Sequence, residues 1–366
     1  MKFQIEKETL LDPLQQIIGA VEKRQTMPAL SNVLIRTTEN SLTLTATDLE
    51  IELVSQIGMV VDEPGEITVP ARKLLDICKS LPNEALINFT VRNNKALVQS
   101  GRSRFSLTTL PANDFPSLDT INSVYDFEIT QKTLRDIIDK TAFAMAQQDV
   151  RYYLNGLMLE VSSNYLRAVA TDGHRLAYCE KLTNADIADI KQVILPRKGV
   201  LELVRLLSDS EDMVKITFGS NHLQVDFNQI RLTSKLIDGR FPDYNRVIPT
   251  DGDNVISADR DQLRQALIRA SILSNEKYRG IRLTLEKNLI KLQAQNPDQE
   301  EADVELEVVY DGDDIEIGFN VNYMLDVLNV ASSEIVQAAL RDSNSSFLLT
   351  YPDQEDCKYV IMPMRL

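Results

Sequence analysis

Five consecutive residues, Thr171-Asp172-Gly173-His174-Arg175, hold the side chains best suited to chemistry in this 366-residue chain. An imidazole beside a carboxylate can act as a general base, with Asp172 orienting His174. The chain has 2 histidines, His174 and His222, so the pairing is conspicuous. What a hydrolase needs around it is missing: no Gly-x-Ser-x-Gly nucleophile turn, no cysteine–histidine signature and no metal-ligand spacing. A turn capped by Asp172, with a histidine that packs or hydrogen-bonds, accounts for the same residues without catalysis. The chain is therefore expected not to be an enzyme. Its 3 cysteines, Cys78, Cys179 and Cys357, are odd in number and far apart. They form no Cys-x-x-Cys pair, so no metal site or cofactor is expected, and they fit separate thiols in a reducing cytoplasm.

The elements that must carry this turn recur. Thr47-Asp48 ends the strand-like run Leu42–Thr47, and Thr171-Asp172 ends Leu166–Thr171. A third run, Leu289–Ala294, leads into Asn296-Pro297. Each is followed by an entry into an apolar-periodic segment: Val69-Pro70-Ala71-Arg72-Lys73, Leu195-Pro196-Arg197-Lys198-Gly199 and Phe319-Asn320-Val321. Phe115-Pro116 also recurs as Phe241-Pro242. A period of roughly 125 residues exceeds the ~20–50 of solenoid repeats and is the size of a domain. Three copies of one domain suggest a curved array or part of a ring. The expected domains are 1–120, 121–250 and 251–366, with boundaries near Ser117–Ser123 and Ile248–Asn254, where turn-forming residues cluster.

Each repeat reads as α+β, with two helices on one face of antiparallel sheet. The periodicity predicts helices near Thr9–Val21 and Ala71–Ser80, Thr130–Ala144 and Pro196–Leu207, Ala258–Leu273 and Asn320–Ala331. Pro13 restricts the first to a first-turn start or a kink. The start, Met1–Lys7, alternates like a strand and is no apolar signal stretch. No run approaches the ~20 apolar residues of a membrane span, which points to the cytoplasm.

The net charge of −15 should repel nucleic acid unless it is segregated. Windows 8–24, 71–80, 130–144, 196–207, 258–273 and 320–331, which bracket the helices, hold 14 Lys/Arg against 10 Asp/Glu, a net of +4, leaving −19 elsewhere. Helices lining one surface would attract phosphate there and repel it outside.

Four strings carry a family resemblance: Gln148–Gly156, Ala170–Ala177, Asp238–Tyr244 and the terminal Tyr359-Val360-Ile361-Met362-Pro363-Met364-Arg365-Leu366. Together they closely resemble the bacterial sliding clamps, the beta subunits of the replicative DNA polymerase III, along the whole chain. The resemblance implies three clamp domains per chain and two chains joined head to tail in a ring, sheets outside and helices inside. It implies a processivity factor that encircles duplex DNA without reading sequence and tethers the polymerase, the clamp loader and other proteins bearing a clamp-binding motif. A duplicated paralogue conferring resistance to a clamp-directed inhibitor has the same features. A hydrolase using His174 is the alternative of another class.

By position, the resemblance implies a peptide-binding groove of Leu154, Thr171, Gly173, His174, Arg175, Leu176, Pro242, Arg246, Val247, Tyr323, Ser346, Val360, Met362, Pro363, Met364 and Arg365, extended by Arg151 and Tyr153. The residues agree: Pro363 must end a ladder, and flexible methionines suit a site for several partners. The DNA-contact candidates are Arg24, Arg72, Gln148, Tyr152, Tyr153, Arg197 and Lys198. The pairs Arg72-Lys73 and Arg197-Lys198 open the second helix of their repeats, where phosphate is favoured, whereas Asn320-Val321-Asn322 does so in the third. The resemblance also puts Phe105, Leu107, Ile272 and Leu273 at the subunit interface, with Lys73 and Glu300-Glu301 suited to its charged rim.

Overall fold

The computed structural model describes residues 1–22, 27–118, 125–183, 185, 189–250 and 252–365. In chain order, the first third holds β1 (Lys2–Glu6), α1 (Lys7–Ile17), β2 (Asn32–Thr37), β3 (Ser41–Thr47), β4 (Ile51–Gly58), β5 (Gly65–Pro70), α2 (Ala71–Ser80), β6 (Leu86–Arg92), β7 (Lys95–Ser100) and β8 (Ser103–Thr108). There follow β9 (Tyr125–Thr130), α3 (Gln131–Asp139), β10 (Gly156–Val161), β11 (Tyr165–Thr171), β12 (Arg175–Leu182), β13 (Lys191–Pro196), α4 (Arg197–Leu206), β14 (Met213–Phe218), β15 (His222–Phe227) and β16 (Ile230–Lys235). The last third holds β17 (Asn254–Asp259), α5 (Arg260–Ser271), β18 (Gly280–Glu286), β19 (Leu289–Gln295), β20 (Glu301–Glu307), β21 (Ile315–Asn320), α6 (Val321–Val330), β22 (Ile335–Leu340), β23 (Phe347–Tyr351) and β24 (Gln354–Ile361).

The chain packs as two compact bodies, one of residues 1–132 and 201–236, the other of 133–200 and 237–366. The first contains the sheets β1-β6-β7-β8 and β5-β2-β3-β4-β16-β15-β14-β9. The second contains β13-β10-β11-β12-β24-β23-β22-β17 and β20-β19-β18-β21. One four-strand order is thus written three times, as β5-β2-β3-β4, β13-β10-β11-β12 and β21-β18-β19-β20. So is its companion: β1-β6-β7-β8, β9-β14-β15-β16 and β17-β22-β23-β24. Each eight-stranded sheet joins one unit of each kind edge to edge. β4 pairs with β16 through Leu53↔Leu232, and β12 with β24 through Ala177↔Tyr359.

The strands bury alternate residues, as in β3, where Leu42, Leu44 and Ala46 are fully covered. In the first body α1 buries Leu10, Leu14 and Ile17 and packs on α2, β3 and β4. In the second, α5 buries Leu263, Ala266, Leu267 and Ala270 and packs on α6, β19 and β20. Among the described residues, no helix is long and apolar enough to cross a membrane.

Two expectations are corrected, and for Pro13 the first-turn alternative falls. The helix expected over Thr130–Ala144 stops at Asp139, and Ala142–Ala144 forms a separate 3-10 turn. Its apolar pattern continues because the turn is also covered, so periodicity alone does not mark the end. Pro13 lies inside α1, beyond its first turn. The cysteines are not three separate thiols. Cys179 and Cys357 stand opposite each other in the β12·β24 pairing, Cα atoms 4.1 Å apart, with their sulfurs bonded. A strand pairing across a sequence separation of 178 residues brings them together. Cys78 remains a buried thiol, its pKa pushed by burial to about 12.

Candidate functional site

The Thr171–Arg175 segment is a capped turn. The Thr171 hydroxyl donates to the Arg175 carbonyl at 2.6 Å and accepts the Gly173 N–H at 3.1 Å. Asp172 Oδ1 accepts the N–H groups of His174 and Arg175 at 2.9 and 3.0 Å. Its Oδ2 takes Arg175 Nε at 3.1 Å. Both carboxylate oxygens are thereby engaged with the turn itself, and the His174 ring lies against Tyr323 with centroids 6.5 Å apart. The bonds described for the Asp172 carboxylate thus run to backbone N–H groups and to Arg175, not to the His174 ring.

Arg175 faces inward. Its side chain is 12% exposed. Besides Asp172 it pairs with Asp326 of α6 and donates to the Phe143 carbonyl at 2.9 Å. Its guanidinium also sits 4.5 Å from the Tyr323 ring centroid. Through these bonds Arg175 pins α6 to the turn. Asp326, the acidic residue in an otherwise uncharged helix, is its partner. Burial raises the Tyr323 hydroxyl above its ordinary pKa.

Arg151 braces the turn from outside, bonding Asp149 through Nε at 3.0 Å and Nη2 at 2.8 Å, and donating to the Asp172 carbonyl at 3.2 Å. These bonds from Arg151 hold the Asp149 carboxyl at about 2. Gly173 has φ +88, and a Cβ there would come within 2.9 Å of Arg151 Nη2. Glycine satisfies both the backbone sign and the close approach. Asp149 and Asn155, which sequence reasoning passed over, lock the loop: Asn155 donates to the Asp149 carbonyl and accepts its N–H. Their signal was present as the Asx-turn spacing of Asp149 to Arg151.

The C-terminal segment runs beside this turn. β24 ends at Ile361, as Pro363 requires. The Met362 N–H then bonds the His174 carbonyl at 2.9 Å, and the Met364 N–H bonds Gly318 at 2.8 Å. Met362 is 37% exposed, Pro363 and Met364 are half-buried, and Arg365 is exposed. Leu176 and Val360, paired in register, share one apolar cluster with Leu154 and Tyr244, and Tyr153 and Val247 pack against it. Pro242 is exposed, and exposed Arg246 bonds Asp243 at 3.0 Å. Half-buried Ser346 precedes Phe347, the partner of Ile361. Of the expected groove residues, Tyr153, Leu154, Leu176, Val247 and Val360 are thus brought together in one apolar cluster of the second body.

Among the DNA candidates, Arg24 lies outside the described residues. Arg72, with Lys73, is exposed at the start of α2 in the first body. In the second, Arg197 and Lys198 open α4. Arg197 ties both ends of the loop before β10, its N–H to the Asn155 carbonyl at 3.0 Å and Nη1 to Met145 at 3.4 Å. That loop presents exposed Gln148 and Tyr152, the latter edge-on to Tyr153. Of the interface candidates, Ile272 is 73% exposed at the end of α5, and Leu273 is half-buried. Phe105 and Leu107 lie on β8, an edge strand. Glu300 and Glu301 are exposed at the start of β20, another edge.

Antiparallel sheets and paired helices, repeated three times, define a DNA-clamp protein. Three domain families match in series: the DNA polymerase III beta subunit N-terminal domain over residues 1–119, its central domain over 128–243 and its C-terminal domain over 245–365. The chain is 56% identical to the Beta sliding clamp of Pseudomonas aeruginosa, covering 100% of both. It is similar to the crystal structure of the DNA polymerase III subunit beta from that organism, with TM-score 0.98, 56% identity and full coverage of both chains. A Pseudomonas aeruginosa sliding clamp bound to griselimycin matches with TM-score 0.96 and 56% identity, again over 100% of both chains. The chain belongs to the DNA polymerase III beta subunit family of bacterial sliding clamps. It is accordingly a DNA polymerase processivity factor.

Proposed function

We propose that two copies of this chain close head to tail into a cytoplasmic ring around duplex DNA, and that the groove of each copy tethers the polymerase, the clamp loader and other proteins bearing a short apolar motif. The ring acts by topology and not by catalysis: it need not bind DNA tightly to stay on it, and a tethered polymerase remains at high effective concentration.

The observation that carries this reading is the pattern of strand edges. β4, β12 and β20 are equivalent edges, as are β8, β16 and β24. Within the chain β4 meets β16 and β12 meets β24, so among the described residues β20 and β8 remain as edges without their counterpart. A second copy supplies it, and two such joints complete a closed set. Transferring the register of the two internal joints puts Phe105 opposite Ala302, and Arg104 opposite Asp303. Opposite charges facing across a strand pair favour the match. Ile272, exposed in the single chain, is covered in the pair, with Leu273, Leu107, Lys73, Glu300 and Glu301 around the contact. Arg24, Arg72, Gln148, Tyr152, Tyr153, Arg197 and Lys198 contact phosphates loosely.

Loading onto circular DNA tests the ring. The clamp should persist on closed circles at salt that abolishes its weak binding to linear duplex, and should leave when the circle is cut. Rapid loss from intact circles would contradict the topological mechanism.

A further inference from the structure

We infer that Arg167, acting through Glu160 and the hydroxyl of Tyr244, is the positioning residue for the groove wall formed by the linker between β16 and β17 (residues 236–253), an inference that rests on the groove reading above. Glu160, Arg167 and Glu180 form one cross-strand row over β10, β11 and β12. The Arg167 guanidinium pairs with both carboxylates, and its Nη1 also donates to the Tyr244 hydroxyl at 2.8 Å. It lies 4.2 Å from the Tyr165 ring centroid and 5.2 Å from that of Tyr178. Tyr165 donates to Glu160 at 3.0 Å, and Tyr178 donates to Glu180 at 2.8 Å. Glu160 is 4% exposed.

Apolar residues could hold these strands together at least as well as a buried charge row. The row adds a fixed guanidinium fork that reaches beyond the sheet to one residue of the linker. Tyr244 opens the 3-10 turn Tyr244–Arg246, which sets Pro242, Arg246 and Val247. The backbone bonds described for residues 244–248 stay local: Arg246 to Asp243, and Val247 and Ile248 to Tyr244. The tyrosine is therefore the turn's hydrogen-bonded tie to the sheet, and its ring sits in the same apolar cluster as Leu154, Leu176 and Val360. With the tie cut, the wall samples more arrangements, and apparent affinity falls in proportion to the fraction that remains competent.

The test uses the full chain and a fluorescein-labelled peptide with one glutamine and two bulky apolar residues. Tyr244→Phe should bind it roughly three- to tenfold more weakly. Deuterium uptake of residues 243–248 should rise and return to the native level at saturating peptide, with dimerisation unchanged. Arg167→Lys keeps a cation between Glu160 and Glu180 but loses the fork. It should melt near the native temperature yet bind as weakly as Tyr244→Phe, whereas a merely structural role would restore both. Deletion of Met362–Leu366 is the control. Native affinity in both substitutions, with binding abolished by the deletion, overturns the positioning role and leaves the groove standing. Unchanged affinity in the deletion overturns the groove reading itself.

Discussion

The turns at Thr47–Ile51 and Thr171–Arg175 make the same bonds with the same atoms, yet only the second borders the candidate groove. In the first, the Thr47 hydroxyl donates to the Ile51 carbonyl at 2.7 Å, and Asp48 Oδ1 accepts the N–H groups of Glu50 and Ile51 at 2.9 and 2.8 Å. Even the bond to the neighbouring strand is shared: Lys235 N–H to the Glu50 carbonyl in one, Met362 N–H to the His174 carbonyl in the other. The differences lie in three additions. Gly173 stands where the first turn has Leu49, itself at φ 77. Arg175 stands where the first has the fully buried Ile51. Beyond the shared bond, Met362 continues through Pro363 to Gly318. The Thr-Asp pair is thus a device for closing a strand connection. The candidate binding features are grafted onto one copy of it, which is how a repeated fold acquires a single site per chain.

The largest expected effect isolates the third addition. Removing Met362–Leu366 should abolish peptide binding and polymerase stimulation together while the dimer persists, as anisotropy and sizing will report. Unchanged affinity would reduce the segment to a structural strand end.

The second addition separates the turns by what is lost. Arg175→Ala strands Asp172 and Asp326 and should cost about 2–4 kcal/mol, seen as a lower urea midpoint together with weaker peptide binding. Ile51→Ala should cost a similar ~2–4 kcal/mol of apolar packing and leave peptide affinity untouched. Equal effects on affinity would erase the distinction between the turns.

The first addition gives a smaller contrast. Gly173→Ala forces a Cβ onto Arg151 at positive φ and should cost about 1–2 kcal/mol. Leu49→Gly, which relieves a positive φ, should be close to neutral. Thermal melts of the two variants decide it.

The smallest effect is a pH dependence. Burial acts to raise the Asp136 carboxyl, but its bonds with Lys181 and Lys140 prevail and lower it below its ordinary 3.8. Its contribution is therefore complete above the ordinary carboxylate range and lost as pH falls through the depressed value. Asp136→Asn should flatten that acid limb of the stability curve, lowering stability near neutrality, where the contribution is complete, and converging with the native protein in acid.

Much of this was legible in the sequence because turn residues obey local rules. The Thr-Asp pairs and proline-led helix entries of the first two repeats, with the alternating strands of all three, pointed to three copies of one domain. The Asp172 cap was readable from four residues, and Pro363 announced the end of β24. What stayed hidden depends on pairing between distant strands. Arg175 meets Asp326 across 151 residues, and Lys181 meets Asp356 across 175. Cys179 meets Cys357 only because β12 pairs with β24. The Arg167 row likewise becomes visible only when three strands are laid side by side. Composition gave a net charge but no account of which charges neutralise each other.

The central claim is that β8 of one copy meets β20 of another, and the molar mass in solution tests it most directly. Light scattering on the native protein should return twice the 41.3 kDa of the chain. Ile272→Ala with Leu273→Ala, removing apolar contact worth roughly 2–5 kcal/mol per side chain if both are buried, should return a folded monomer that still binds peptide. A native protein that stays at the mass of one chain, or a double variant that stays dimeric at nanomolar concentration, would contradict the account.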